Sequence, residues 1–399
     1  MSGGKRLSVP GFQASGIHSG IKPKDLDLAL IVSDVPANVA GVFTRSTVVG
    51  APVELNRERV RSGKTRGVVV NSGCSNVAMG DRGRRDARRM SALAAESLGC
   101  MPEEILVAST GVIGEPLPMG ALRSGIPKAV EALSREGLPV AAEAIRTTDT
   151  YAKSALKRIR LGGKSVTIAG IAKGSGMIEP DMATMLAFLV TDAAVAPAVL
   201  RAVLKRVSKE TFNRVSVDGE GSTSDTALLL ANGVAGNPRL SRSGDSECAL
   251  FERAVRSVAE SLAQDLARDG EGATKLVTIE VCGAKDPKQA EGAARRVANS
   301  MLVKTALFGG DPNWGRILQT IGAGRYEIDL SCARIRLGGV VVFRGGHPTG
   351  PAARRRAEAA QARDEIKIEI DLGAGHGTAR MWTCDLSYDY VKINAEYTT

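Results

Sequence analysis

The sequence predicts an α/β or α+β layered protein, on three observations. Short aliphatic runs of strand length recur along the 399 residues and close on glycine-rich turns. Segments with apolar residues at helical spacing lie between them. Aromatic residues make up 4% of the chain while glycine occurs 45 times, so the core must be aliphatic and many turns tight. The length suits two or three domain-sized units and a sizeable core.

The elements follow in chain order. "GVVVNSG" (67–73) reads as a buried strand ending in a turn, and "EILVASTGVIG" (104–114) as a strand opening into a glycine-rich loop. "SVTIAGIAKGSG" (165–176) repeats that pattern, and "TMLAFLVTDA" (184–193) follows as a continuous apolar strand. "TALLLANG" (226–233) and "KLVTIEVCGA" (275–284) add two more. Pro197 suits the first turn of a helix carrying Val199, Val203, Leu204 and Val207. Phe251, Val255, Val258, Leu262 and Leu266 fall on one helical face, which predicts a core-facing helix. Near the end, "ARIRLGGVVVF" and "EIKIEIDLG" read as strands around a turn and a short polar helix, "PTGPAARRRAEAAQARD". The tetrapeptide "DGEG" occurs twice, at 218–221 and 269–272, which is weak evidence of a repeat.

Composition excludes several classes. The net charge is +10, but basic residues cluster only in "RGRRDARR" (82–89) and "RRR" (354–356). The first reads as a helix start and the second as a helix face. No aromatic residues interleave with either, so no platform for stacking bases is expected. The six cysteines form no C-x-x-C pair and only three histidines are present, so no metal site is expected. Scattered cysteines read as small buried hydrophobes in a reducing compartment. The start of the chain lacks the apolar region of a secretion signal and no run reaches membrane-span length, so a cytoplasmic protein is expected. No G-x-G-x-x-G follows a strand, and "LGGKS" lacks the upstream glycine of a P-loop.

The chemistry centres on "GMIEPDMATMLAFLVTDA" (176–193), where a Gly/Pro/Asp-rich half meets an apolar half at Ala183 and Thr184. A threonine there can be an ordinary strand start. It can also be a nucleophile if the chain is cut before it, because the new α-amine, with an ordinary pKa of about 7.7–8.0, then serves as base. The small Ala183 leaves the preceding carbonyl open to attack.

The segment "KGSGMIEPDMATMLAFLVTDA" resembles the autocleavage region of the ornithine acetyltransferase family, the glutamate N-acetyltransferases of arginine biosynthesis. "GFQASGIHSGIK", "GVFTRSTVVGAPV", "ASTGVIGEPLPM", "TTDT", "DGEGATK", "FGGDPNWGRI" and "YVKINAEYTT" resemble the family's other blocks, in its order, over almost the whole chain. The resemblance implies an α/β fold layered around a self-processed N-terminal threonine, with a smaller C-terminal α/β part. It implies cleavage between Ala183 and Thr184 into an α chain, 1–183, and a β chain, 184–399. Within the latter, 184–280 would complete the catalytic core and 281–399 form the C-terminal part. Thr184 would take the acetyl group of N-acetylornithine and pass it to glutamate by a ping-pong route. Thr110 and Gly111 would stabilise the oxyanion. Thr150, Lys173, Glu271, Asn394 and Thr399 would join Thr184 in binding substrate. Asn394 and Thr399 require the end of the chain to fold back into the site. No cofactor is implied, though some members use acetyl-CoA as a co-substrate, and the usual assembly is two α and two β chains.

Two rivals are a self-processing aminopeptidase or amidase, which gives the acyl group to water, and a non-catalytic basic binding protein. The sequence departs from the family's usual pattern at Cys74 and Met79 in "NSGCSNVAMG", and at Glu220, Gly221 and Ser224 in "SVDGEGSTSDT".

Overall fold

The structure is a computed structural model and describes residues 7–179 and 185–396. The aliphatic runs form the expected strands. Among the described residues, the first sheet contains β1 (Phe12–Ile17), β2 (Leu28–Phe43), β3 (Lys64–Cys74), β4 (Ile105–Val112), β5 (Lys153–Leu161), β6 (Lys164–Lys173), β7 (Leu186–Thr191) and β8 (Thr226–Ala231). Their order is β4-β3-β2-β8-β7-β6-β5, with β1 alongside β2. The helices around this sheet are α1 (Ala51–Arg59), α2 (Gly80–Leu98), α3 (Met119–Glu131), α4 (Leu138–Ala144), α5 (Pro197–Glu210) and α6 (Ser246–Arg268).

The sheet folds over at β2, whose register shifts between Val32 and Ala37 around Pro36. A proline is tolerated in a strand where the ladder is already interrupted. Before the break β2 pairs with β1 and β3; after it, β2 pairs with β8. Alternation then sorts the side chains. Leu186, Phe188 and Val190 of β7 share a core with Ile31, Val68, Val70, Leu106 and the α4 alanines, between the two halves of the sheet. Ala187 and Leu189 point the other way, onto α5 and α6. On the far side of the other half, Leu28, Leu30, Val69 and Val107 pack against α1, α2 and α3. The result is helix, sheet, sheet and helix in four layers.

The second sheet comprises β9 (Leu276–Ala284), β10 (Arg334–Leu337), β11 (Val340–Arg344), β12 (His347–Pro348), β13 (Glu365–Asp371) and β14 (Gly377–Cys384), in the order β12-β11-β10-β13-β9-β14. It carries α7 (Pro287–Ala298), α8 (Met301–Phe308), α9 (Trp314–Ala323) and α10 (Pro351–Gln361). Leu276, Trp382 and Cys384 belong to the core beneath α6, while Val277, Ile279 and Met381 belong to the core beneath α7. The second sheet is thus docked directly on the first unit. The chain passes between the sheets at 269–275, so the expected boundary at 280–281 falls inside β9. Burial drives this, because β9 needs α6 on one face and α7 on the other.

The last helix, α11 (Tyr388–Glu396), returns along this junction. Ser387 Oγ donates to the Gly272 carbonyl at 2.6 Å, and the Tyr388 ring meets Phe308 edge-on at 5.5 Å. The expectation for the cysteines holds for Cys74, Cys248 and Cys384, which are buried, but Cys282 and Cys332 are exposed. Cys282 alternates with the buried Val281 and so lies on the outer face of β9.

Phe188 is wholly buried between the two halves of the folded sheet. Phe188→Ala should therefore lower unfolding free energy by about 3–5 kcal/mol in urea titrations.

Candidate active site

Three chain segments converge where the first sheet meets the second. β4 carries Thr110 and Gly111 just before its end at Val112, β6 ends at Lys173, and β7 starts at Leu186 opposite Lys173. They open onto a cavity of about 370 Å³ whose lining includes Thr110, Gly111, Lys173, Glu271 and Asn394. Five of the sequence-predicted site residues, up to 284 positions apart, therefore meet in one place.

The first wall is a corner of hydroxyl and amide donors. Gly111 has φ 130°, a left-handed conformation that favours glycine. A Cβ there would collide with the backbone of Gly73. The end of β4 can thus lie flat against the end of β3. Asn71 ties the two strands together: Ser109 Oγ donates to its Oδ1 at 2.6 Å, and its Nδ2 donates to the Cys74 carbonyl at 2.8 Å. Lys173 Nζ donates to Thr147 Oγ1 at 2.7 Å and reaches Thr110 Oγ1 at 3.4 Å.

The opposite wall is acidic. Glu271 follows α6 and is almost fully buried. Its carboxylate lies against Gly176, where any Cβ would displace it, and Oε2 accepts from Asn394 Nδ2 at 2.8 Å. Asp218 accepts from the N–H groups of Met177 and Ile178 at 2.6 and 2.8 Å, which pins the loop after β6. Tyr390 stands one helical turn before Asn394 and also lines the cavity. Burial, followed by the charges of Asp218, Glu271 and Glu220, pushes its pKa up to about 12. Its hydroxyl is therefore a donor at any working pH. Both "DGEG" tetrapeptides border this wall, since Asp218, Glu220, Gly221 and Glu271 are all in the lining.

Beneath the cavity lies a buried charge network. Lys153, fully buried, pairs with Asp149 at 2.7 Å and with Asp269. Asp149 is 3.8 Å from Lys173 and also accepts from the Gly174 N–H at 2.6 Å and the Thr147 N–H at 3.1 Å. Burial pushes the Asp149 pKa up, but the charges of Lys173 and Lys153 outweigh it and hold the carboxyl well below the usual range. Burial is also the largest influence on Lys173 and lowers its ammonium pKa from the ordinary 10.5, with Asp149 opposing.

The structure separates one expected residue from the rest. Thr150 is exposed, and its N–H and hydroxyl both donate to Asp269. It is outside the cavity lining, whereas Thr147 and Thr148 of the same "TTDT" are in it. The physical reason is Asp269, whose carboxylate takes Thr150 and Lys153 together. Ala183, Thr184 and Thr399 lie outside the described residues. Sequence reasoning missed Asn71, Asp149, Lys153, Asp218 and Tyr390. Asn71, Asp149 and Asp218 sit inside the quoted "NSGCSNVAMG", "TTDT" and "DGEG" blocks, and Tyr390 stands at i, i+4 spacing from Asn394 on a helix; Lys153 carried no signal.

Of the departures from the family pattern, Cys74 packs in the core under α2 and Met79 precedes that helix. Glu220, Gly221 and Ser224 line the cavity. Among the described residues no group of three His, Cys, Asp or Glu side chains could hold a metal ion, and no helix is long and apolar enough to cross a membrane.

The sequence pattern of the ArgJ family matches residues 13–399. The chain belongs to the ArgJ family. It is 49% identical over 394 residues to the arginine biosynthesis bifunctional protein ArgJ of Geobacter sulfurreducens, covering 98% of this chain and 100% of that one. It is 48% identical to the protein of the same name from Symbiobacterium thermophilum, covering 98% and 97%. The crystal structure of the arginine biosynthesis bifunctional protein ArgJ from Bacillus halodurans is similar at a TM-score of 0.50 and 41% identity. That match covers 53% of this chain and 98% of the solved one.

Two outcomes follow from the buried network. Lys153→Met leaves Asp149 and Asp269 without their shared cation and should cost about 3–5 kcal/mol in chemical denaturation. Asp149 has a depressed folded pKa, so its stabilisation is present above its ordinary value of 3.8 and lost as pH falls below it. Denaturant titrations between about pH 5 and pH 2 should show a steeper loss of stability in the wild type than in Asp149→Asn.

Proposed function

We propose that the chain transfers the acetyl group of N2-acetyl-L-ornithine to L-glutamate in arginine biosynthesis, through an acetyl ester on Thr184. The observation that carries this reading is the two-walled cavity, with Lys173 beside Thr110 and Gly111 on one side and Glu271 with Asn394 on the other. An amino-acid substrate bears both charges. Lys173 matches its carboxylate and Glu271 its ammonium. The acidic wall favours N-acetylornithine, whose side-chain amine is cationic.

The chain first cuts itself between Ala183 and Thr184. The match to the solved Bacillus halodurans chain supports this, because nearly all of that chain corresponds to 53% of this one, a share close to that of 184–399. The freed α-amine of Thr184 then takes the hydroxyl proton as Oγ attacks the acetyl carbonyl. Negative charge develops on the carbonyl oxygen, toward which Thr110 Oγ1 and the Gly111 N–H can be aimed. Ornithine leaves with the proton. The amine of glutamate attacks the acetyl-threonine by the reverse path, so the kinetics are ping-pong. No cofactor is needed, and acetyl-CoA is a second acetyl donor compatible with the same ester. Thr150 acts by holding Asp269, and Thr399 completes the substrate site. The processed chains assemble as two α and two β chains in the cytoplasm.

A hydrolase would release acetate instead. The acidic wall argues against this, because it offers a place for the amine of an acceptor.

Intact-mass measurement of purified protein should show two chains, the second starting at Thr184, and a single chain for Thr184→Ala. Acetyl groups should appear on glutamate rather than as free acetate. An uncut wild type that still transfers acetyl groups would refute the terminal-amine mechanism. Thr110→Val should reduce kcat by about 10²–10³ with little change in the yield of two chains.

A further inference from the structure

The acidic wall holds one carboxylate that the fold does not use. Asp218 accepts from the N–H groups of Met177 and Ile178, one on each oxygen, and Glu271 accepts from Asn394. Glu220 differs from both. Its backbone is fixed at each end: its N–H donates to Asp218 Oδ1 at 3.2 Å, and its carbonyl accepts from the Glu179 N–H at 2.8 Å. The residue lines the cavity and is exposed, and its carboxylate has no hydrogen-bond or ion-pair partner among the described residues. It is also one of the positions at which the sequence departs from the family's usual pattern.

The cavity has a buried end and an open end. Lys173 and Glu271 are buried, whereas Glu220 and Gly221 are exposed. The charges of Asp218, Glu271 and Glu220 all bear on Tyr390, so the three carboxylates face one space. Among the described residues of the lining, Lys173 is the only cation opposing them. In the transfer proposed above, the acyl group lies at the Thr110 and Gly111 corner and the α-carboxylate near Lys173. Both hang from the substrate's α-carbon, so the side chain is the part left to run toward the open end. There the two substrates differ in charge. The side chain of an N-acetylated diamino acid ends in an ammonium, and that of glutamate ends in a carboxylate.

We propose that Glu220 is a specificity-determining residue, whose carboxylate at the open end selects an acyl donor with a cationic side chain and disfavours an acceptor with an anionic one. This rests on the transfer reading above and adds to it the residue that reads the side chain. An exposed carboxylate with no partner in the fold spends nothing on holding structure, so its charge is available to the ligand. It acts through the field at the mouth of the cavity rather than through a desolvated ion pair, so its effect is modest and is screened by salt.

The test is steady-state kinetics on processed wild type, Glu220→Gln and Glu220→Lys. In a ping-pong scheme the kcat/KM of each substrate reports its own half-reaction. Glu220→Gln should lower kcat/KM for N-acetylornithine by about 3–5-fold and raise it for glutamate by a similar factor, and Glu220→Lys should move both further, by about 10-fold. These shifts should shrink between about 0.05 M and about 0.5 M salt. The control donor is N2-acetyl-L-norvaline, which has the same carbon chain without the amine. Each variant should narrow the preference of the enzyme for N-acetylornithine over this neutral donor. A fall in both values of kcat/KM by the same factor, with the donor preference unchanged, would give Glu220 a merely structural role and overturn the inference. Unchanged kinetics in both variants would overturn it as well. A wild type that moves no acetyl group from N-acetylornithine to glutamate overturns the transfer reading itself, whatever the variants do.

Discussion

The site depends on the pairing of β7. This strand is buried on both faces and hydrogen-bonded at both edges, to β6 and β8. A slip of one residue would turn Phe188 and Val190 out of one core and into another, so the register is fixed. That register brings the start of β7 level with Lys173 at the end of β6 and with Asp225 just before β8. A rigid central strand is a precise place from which to position a site.

The second constraint is electrostatic. Lys173 is buried yet does not stand alone, because Asp149 neutralises much of its charge from below and Lys153 balances Asp149 in turn. The network costs desolvation energy and is weak evidence of net stability. Its effect here is geometric: it holds the Gly174 and Thr147 backbones, and therefore the lysine, at one height in the cavity wall. Across the cavity, Asn394 restrains Glu271 and Gly176 leaves it room. The two walls thus present opposite charges to one cavity.

Much of the fold was legible in the residues, for a definite reason. Strands such as β3, β6, β7 and β8 are continuous aliphatic runs, which few other structures explain. β2 was not legible, because Asp34 and Pro36 interrupt it and the break is where the sheet folds over. Nor was β5, a sheet-edge strand whose alternating Lys and Arg resemble a solvated segment. The site divided similarly. Thr110, Gly111, Lys173, Glu271 and Asn394 sit in motifs that resemble the family's, and they do meet. Lys153 carries no such mark, and Asp149, though inside "TTDT", gives no sign of its burial, since a buried charge and a solvated one look alike in sequence. Thr150 shows the opposite failure: its motif reaches the cavity, but through Thr147 and Thr148.

The most direct test of the account is to trap the ester. Processed enzyme would be incubated with N-acetylornithine and no glutamate, quenched in acid, digested and analysed by mass spectrometry. The account predicts one acetyl group on the peptide that begins at Thr184, on its side-chain oxygen, and its loss when glutamate is added before quenching. An unacetylated Thr184 peptide under conditions where acetylglutamate still forms would contradict it.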